Sequence, residues 1–219
     1  DPGLHPGPRD ESLWPTVLAG STEESRVLTM FNLSDVLVEH VTICNGSLKP
    51  PIRSSRYGGG VFLTNCQDIV FNDCVITNNY VGTHIPYGGG LSLVASAVVV
   101  SNCLVADNFS GGVGYNTTGH GGGVYIDGSS AMEVVGSVIR DNHARGTAAG
   151  NGIGGGFKVD SGGGLNIRKS VVKSNRTSTH YEAPNDIGAA VANYGTMNMF
   201  NCLVVSNRAE NAHSDGIYS

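Results

Sequence analysis

The feature that most constrains this chain is a unit of roughly thirty-three residues, written out about six times along its length. Four copies align directly: Gly58-Gly59-Gly60-Val61 through Cys74-Val75-Ile76 to Asn79, Gly88-Gly89-Gly90-Leu91 through Cys103-Leu104-Val105 to Asn108, Gly121-Gly122-Gly123-Val124 through Ser137-Val138-Ile139 to Asn142, and Gly154-Gly155-Gly156-Phe157 through Ser170-Val171-Val172 to Asn175. From first glycine to closing asparagine the steps are 21, 20, 21 and 21 residues (79−58, 108−88, 142−121, 175−154). A shorter fifth copy runs from Gly188-Ala189-Ala190-Val191 to Asn207, and a degenerate one from Val27 to Gly46 opens the series. A fixed period of this size implies a stacked solenoid, in which each unit buries its apolar face on its neighbours.

Within a unit the apolar residues alternate, the period of a strand and not of a helix. Three short runs recur. The first follows the glycines (Val61/Leu63, Leu91/Leu93, Val124/Ile126, Phe157/Val159), and the second carries Ile69/Phe71, Val98/Val100, Met132/Val134, Leu165/Ile167 and Met197/Met199. The third pairs a small residue with an aliphatic two places on: Cys74/Ile76, Cys103/Val105, Ser137/Ile139, Ser170/Val172 and Cys202/Val204. Three strands per turn, each stacked on the next turn, predict an all-β parallel β-helix of about six rungs over residues 27–219, continuing past Gly216-Ile217-Tyr218-Ser219 as part of a longer protein. The Pro-rich segment 1–26 (Pro2, Pro6, Pro8, Pro15) reads as a linker or cap.

The closing asparagines strengthen that expectation. Asn79, Asn108, Asn142, Asn175 and Asn207 would stand one strand spacing apart, where stacked amides can bond each other and the turn backbone. Asp73, Asn102, Gly136, Lys169 and Asn201, just before the small residues, are mostly types that tolerate the left-handed conformation of a sharp bend. The glycine triplets mark a second corner, where backbone passes backbone without a Cβ.

The pattern Gly-Gly-Gly-aliphatic-x-aliphatic, then apolar-x-apolar-x-Asn-Cys-x-Ile-x-x-Asn, resembles the right-handed parallel β-helix repeats of the pectin-lyase-like superfamily. In style it is similar to the repeats of polymorphic outer-membrane proteins and related surface proteins. Trp14-Pro15-Thr16-Val17-Leu18-Ala19-Gly20 and Val36 to Gly46 are similar to the first rungs of that superfamily. The resemblance covers residues 14–219 and implies the fold; its members include lyases, hydrolases, epimerases, adhesins and stalks, so function has to be argued from sites.

A net charge of −5 argues against a nucleic-acid partner and against docking on anionic lipid. No run of 18 apolar residues is present, so no membrane insertion is expected of this segment. Five cysteines without CxxC spacing read as small core fillers at Cys74, Cys103 and Cys202; a Cys74–Cys103 bridge between adjacent rungs is the alternative, disfavoured by side chains that point the same way. Sequon spacing occurs at Asn32, Asn45, Asn108, Asn116 and Asn175; the ladder members should be inaccessible, which leaves Asn116 and Asn32 as glycosylation candidates.

All length variation falls in Ser47–Tyr57, Tyr80–Tyr87, Phe109–His120, His143–Ile153 and Arg176–Ile187, which stacking must bring to one edge. Tyr57, Tyr80, His84, Tyr87, Tyr115, His120, His180 and Tyr181 there could contact a polysaccharide, whose rings offer apolar faces and hydroxyls, or another surface protein. The competing reading of Tyr57, Tyr87 and His120, each directly before a glycine triplet, is a stacked corner. Gly119-His120-Gly121 is similar to the Gly-His-Gly element of polygalacturonases, although that family's other catalytic residues are missing. Alignment places Asp127 beside Asp160, Asp107 beside Asp141 and Asp35 beside Asp68. Paired carboxylates can supply a raised-pKa acid or hold calcium, as a lyase would require; ordinary turn residues are the other reading.

The expected function is therefore a non-enzymatic extracellular or cell-surface stalk or adhesin that needs no cofactor. The alternatives are a polysaccharide lyase or glycoside hydrolase acting through Asp127, Asp160 and His120, and a filament component that associates through open strand edges.

Overall fold

The computed structural model describes residues 15–21, 24–49, 57–114, 117–147, 150–179, 186–210 and 212–219. Among them there is no helix; the chain is an all-β parallel solenoid.

The three expected strands recur in every coil. Sheet 1 is the strand after each glycine triplet: Leu28–Phe31, Val61–Thr64, Leu91–Val94, Val124–Ile126, Phe157–Val159, Val191–Asn193 and Ile217–Tyr218. Sheet 2 stacks Ser34–Glu39, Gln67–Asn72, Ala97–Ser101, Ala131–Val135, Gly164–Arg168 and Thr196–Phe200. Sheet 3 stacks Thr16–Ala19, Val41–Cys44, Val75–Thr77, Leu104–Ala106, Val138–Arg140, Val171–Lys173 and Leu203–Val205. Register is strict: Ile43, Ile76, Val105, Ile139, Val172 and Val204 face one another coil by coil. With Leu63, Leu93, Ile126 and Val159 of sheet 1 and Phe71, Val100, Val134 and Ile167 of sheet 2, they fill one continuous core.

The segments expected to be loops contain further strands. Sheet 4 stacks Ser47–Leu48, Tyr80–Val81, Phe109–Gly111, His143–Gly146, Arg176–Thr179 and Arg208–Ala209 in parallel, and Glu24–Ser25 joins its edge antiparallel. A fifth, narrow sheet holds Gly119–His120, Gly152–Ile153, Asp186–Ile187 and Ala212–Ser214. These strands have no apolar alternation, because their buried positions include Ser110, Thr177 and Ser178. Backbone neighbours above and below hold them instead.

Three side-chain ladders fix the corners. Each asparagine amide of the long ladder donates to the next one's Oδ1 at 3.0 Å, from Asn79 through Asn108, Asn142 and Asn175 to Asn207. The same Nδ2 donates to a carbonyl of the preceding coil, those of Ile43, Ile76, Val105, Ile139 and Val172, at 2.9 to 3.1 Å. Each Oδ1 also accepts a backbone N–H from the coil before; at the first rung Gly46 supplies it to Asn79 at 2.9 Å. Every amide is thus satisfied although Asn79 to Asn175 are buried.

The small residues form the second ladder. The N–H of Cys74 donates to Cys103 Sγ, that of Cys103 to Ser137 Oγ and that of Ser137 to Ser170 Oγ, at 3.0 to 3.3 Å. The position therefore selects small side chains that can accept a hydrogen bond, which Cys and Ser both can. Cys66, Ser96 and Ser130 repeat the device at the corner between sheets 1 and 2. All five cysteines are free, so the filler reading holds and the bridge is not formed. A hydrogen bond with Cys74, and burial, push the Cys103 thiol up and keep it protonated.

The residues before these ladders adopt positive φ: Asp73, Asn102, Gly136, Lys169 and Asn201 lie at 51° to 59°, and Asn78, Asp107, Asp141, Ser174 and Ser206 at 53° to 56°. The glycines divide the labour. The first of each triplet has φ between 56° and 70°, and glycine persists there even in the last copy, at Gly188. The third packs against the amide ladder: a Cβ on Gly60 would stand 2.7 Å from Asn79 Nδ2, and one on Gly123 3.0 Å from Asn142 Cγ.

Asn142→Ala removes four hydrogen bonds in the dry interior and should lower stability by about 3 kcal/mol, whereas water can replace much of what half-exposed Asn207→Ala removes, at about 1 kcal/mol. Urea denaturation followed by circular dichroism separates the two; equal losses would remove the ladder from its structural role.

Candidate functional site

The edge before each glycine triplet gathers most of the chain's chemistry. Tyr57, Tyr87 and His120 pair backbone to backbone on successive coils, and their rings stack at 5.0 Å and 4.8 Å, each 15° from parallel. Phe62, pointing outward from sheet 1, stacks on Tyr57 at 5.3 Å. The Arg26 guanidinium closes the column, lying over Phe62 at 4.8 Å and donating to the carbonyls of Tyr57 and Gly58. Burial lowers its pKa to about 10, so it stays cationic at neutral pH.

The outward row of sheet 1 continues through Ser92, Tyr125 and Lys158. Tyr125 is buried against Tyr87, 4.5 Å between centroids, and donates its hydroxyl to Asp160 Oδ2. Lys158, only 6 % exposed, pairs with the other Asp160 oxygen, its ammonium 5.3 Å from the Tyr125 ring and 5.4 Å from that of Tyr194. Burial and the bond to Asp160 push the Tyr125 phenol up. Burial, reinforced by Lys158, pushes His120 down to about 3.

Each candidate catalytic residue has partners of its own. Register does place Asp127 beside Asp160, since Ile126 faces Val159 on the neighbouring strand. Their carboxylates are nonetheless engaged separately. Asp127 Oδ1 accepts from Ala95 N at 3.2 Å, Ser129 N at 3.0 Å and Ser130 Oγ at 2.6 Å, the pattern of a turn cap. Asp160 is held by Tyr125 and Lys158, and His120 is a neutral ring in a stack, with no hydrogen-bond partner at its buried Nδ1. Asp35 and Asp68 stand at matching places on neighbouring coils, both at positive φ (57° and 56°), between the paired positions Ser34–Gln67 and Val36–Ile69. Asp107 and Asp141 sit at a corner with Arg140, at 3.8 Å and 2.5 Å. No group of three or more His, Cys, Asp or Glu side chains arranged to hold a metal ion occurs among the described residues.

The binding candidates divide between two columns. Tyr80 belongs to sheet 4, stacked on Phe109 at 5.1 Å; Phe109 meets His143 edge-on at 5.1 Å and carries Arg145 over its face. His84 is exposed, its Nδ1 3.2 Å from the carbonyl of Val113. Tyr115, Asn116, His180 and Tyr181 lie outside the described residues. Asn32 is exposed at a corner with φ 56°. The sequence reading missed Lys158, Tyr125, Tyr194 and Arg26. The signal that could have found the first two was the outward position between the paired aliphatics of sheet 1, which reads Phe62, Ser92, Tyr125 and Lys158.

No protein-family profile, curated protein or solved structure matches the chain.

His120 and His143 both have folded pKa values near 3 against about 6.5 in an unfolded chain. Below about pH 6.5 the unfolded state binds protons that the folded state refuses, so stability falls as pH drops from 6.5 toward 3. A thermal-melting series over that range should show the decline, and His120→Tyr, which extends the column by another tyrosine, should make it shallower. An unchanged slope would mean that His120 is solvated.

Proposed function

We propose that this chain is a non-enzymatic segment of an extracellular or cell-surface β-helix, a stalk or adhesin whose aromatic edge can contact glycans. The observation that carries the reading is where the reactive groups have gone. Asp127, Asp160 and His120 are each held by contacts that complete a corner or a stack. A lyase or hydrolase needs a carboxylate or base free to exchange a proton with substrate, or to hold calcium opposite one. Here Asp127 has three donors on one oxygen, and Asp160 has a phenol on one oxygen and an ammonium on the other.

A rod suits this chemistry. Backbone hydrogen bonds run along the solenoid axis, each coil contacts only its neighbours, and length is added by adding coils. Glycan contact is favoured by one observation: Tyr57, Tyr87 and His120 are half-buried, with ring faces spent on one another and rims outward, next to the Lys158–Asp160 pair. Hydroxyl-rich sugars suit such rims. No helix among the described residues is long and apolar enough to cross a membrane.

The test has two arms. Incubation with pectate, alginate and chondroitin, with and without calcium, should yield no unsaturated product by absorbance; turnover lost on Asp127→Ala or Asp160→Ala would overturn the reading. On a glycan array, Tyr57→Ala with Tyr87→Ala should weaken any binding at least about tenfold, the scale of a lost aromatic contact. Binding that ignores both substitutions would remove the edge from the proposal and leave a stalk.

A further inference from the structure

In a solenoid each sheet has one face in the core and one toward water, so strands should alternate apolar and polar. The outward row of sheet 1 is mixed (Phe62, Ser92, Tyr125, Lys158), and that of sheet 2 is apolar at Leu37, Val70 and Val99 before turning polar at Glu133, Asn166 and Asn198. Sheet 3 breaks the rule. Its outward row reads Val75, Leu104, Val138, Val171 and Leu203 on five successive coils in register. Leu203 is 54 % exposed and the others are half-buried, in strands that carry aliphatics on both faces. Both-face apolar strands belong to parallel sheets that are covered on both sides.

The rows that flank this one indicate what could cover it. On the side of the small-residue ladder stand Asp73, Asn102, Gly136 and Lys169; on the other side stand Thr77, Ala106, Arg140 and Lys173. Asp73, Lys169 and Lys173 are exposed, and a shallow groove floored by Val75, Leu104 and Val138 runs between the rows. Both rows are acidic or neutral at one end and basic at the other. Folded about the gap between the Leu104 and Val138 coils, the first row sets Asp73 against Lys169, and the second sets Lys173 against the neutral Thr77.

We propose that the outer face of sheet 3 is a homodimer interface, its partner a second copy of this chain. The two-fold axis lies in the interface, parallel to the strands and between the Leu104 and Val138 coils. This rotation reverses the order of the coils and keeps the position along each strand. Leu104 then meets Val138 of the second copy, and Val75 meets Val171. Asp73 meets Lys169, and Asn102 meets Gly136, each pair occurring twice by symmetry. The aspartates at the next corner, Asp107 and Asp141, would face each other, and Arg140 of the same copy already lies on both, at 3.8 Å and 2.5 Å. From strand rise and strand spacing the face measures about 20 Å by 30 Å, burying roughly 1,200 Å² in total, which is the lower end of specific interfaces. The dimer is therefore weak, with a dissociation constant on the order of 10 μM. It does not depend on the glycan reading, since sheet 3 is a different face from the aromatic edge.

Sedimentation equilibrium of the 219-residue chain, from about 1 to about 300 μM, should show a monomer–dimer equilibrium centred near that constant. Asp73→Lys and Lys169→Asp each place like charges in contact twice and should weaken the dimer at least about tenfold; combined in one chain they should restore it to within about threefold. Folding of Asp73→Lys is not the obstacle, because Lys169 itself occupies the same positive-φ corner, and circular dichroism checks it. Leu104→Glu should leave only monomer. A monomer throughout the range, a dimer indifferent to both charge reversals, or single variants not rescued by the combination would each overturn the proposal.

Discussion

The structure depends on one constraint: every coil must return to the same phase as the coil beneath it. Backbone hydrogen bonds between coils require it, but they do not specify it, since a parallel ladder can slip by two residues and still bond. The asparagine column removes that freedom. Each amide is committed on both sides, to the next amide and to a carbonyl of the preceding coil, so a slipped coil would leave buried donors and acceptors unpaired along the whole edge. The Cys/Ser ladder does the same at the next corner from different atoms. Most of the variable length then falls in the arc between sheet 4 and the glycine triplets, and the corner between sheets 1 and 2 absorbs only one or two residues.

Much of this was legible in the sequence because stacking turns a three-dimensional column into a one-dimensional period. The asparagines, the small residues and the inward aliphatics each repeat at the same phase, so their contacts could be derived before any coordinate. The first glycine could be told from the third only in the structure. Gly188 persists because of its backbone angle, while Ala189 and Ala190 are admitted near the last coil. What was not legible has a common cause: the strands of sheets 4 and 5 carry no periodic apolar signal. Ser110 and Thr177 face inward there, and Ser110 donates to the carbonyl of Pro86 on the neighbouring coil, a contact that no window of sequence displays. Asp127 and Asp160 were aligned correctly, but alignment does not reveal partners. Those depend on Lys158 being two residues from Asp160 on the same face, and on Tyr125 standing one coil below.

Stacking like on like suits amides and rings but not charges. Amides are donor and acceptor at once, and rings attract when offset, so Asn over Asn or Tyr over Tyr lowers the energy of both. Two like charges one strand spacing apart, about 4.8 Å, repel by roughly 3 kcal/mol at an effective dielectric constant near 20. Some outward columns follow that arithmetic, although Arg140 stands over Lys173 and Arg176 over Arg208. Glu133 stands one coil and two residues along the strand from Arg168 and pairs with it, and Tyr125 precedes Lys158. Where two aspartates do stack, at Asp107 and Asp141, Arg140 lies on both. A concentrated acidic cleft of the kind that chemistry on polysaccharides uses would have to be built against this tendency, with a ligand or cation to offset it. The stacked carboxylates at Asp107, Asp141, Asp127 and Asp160 are instead offset by the protein's own cations and turn donors, which is how a rod balances its charges.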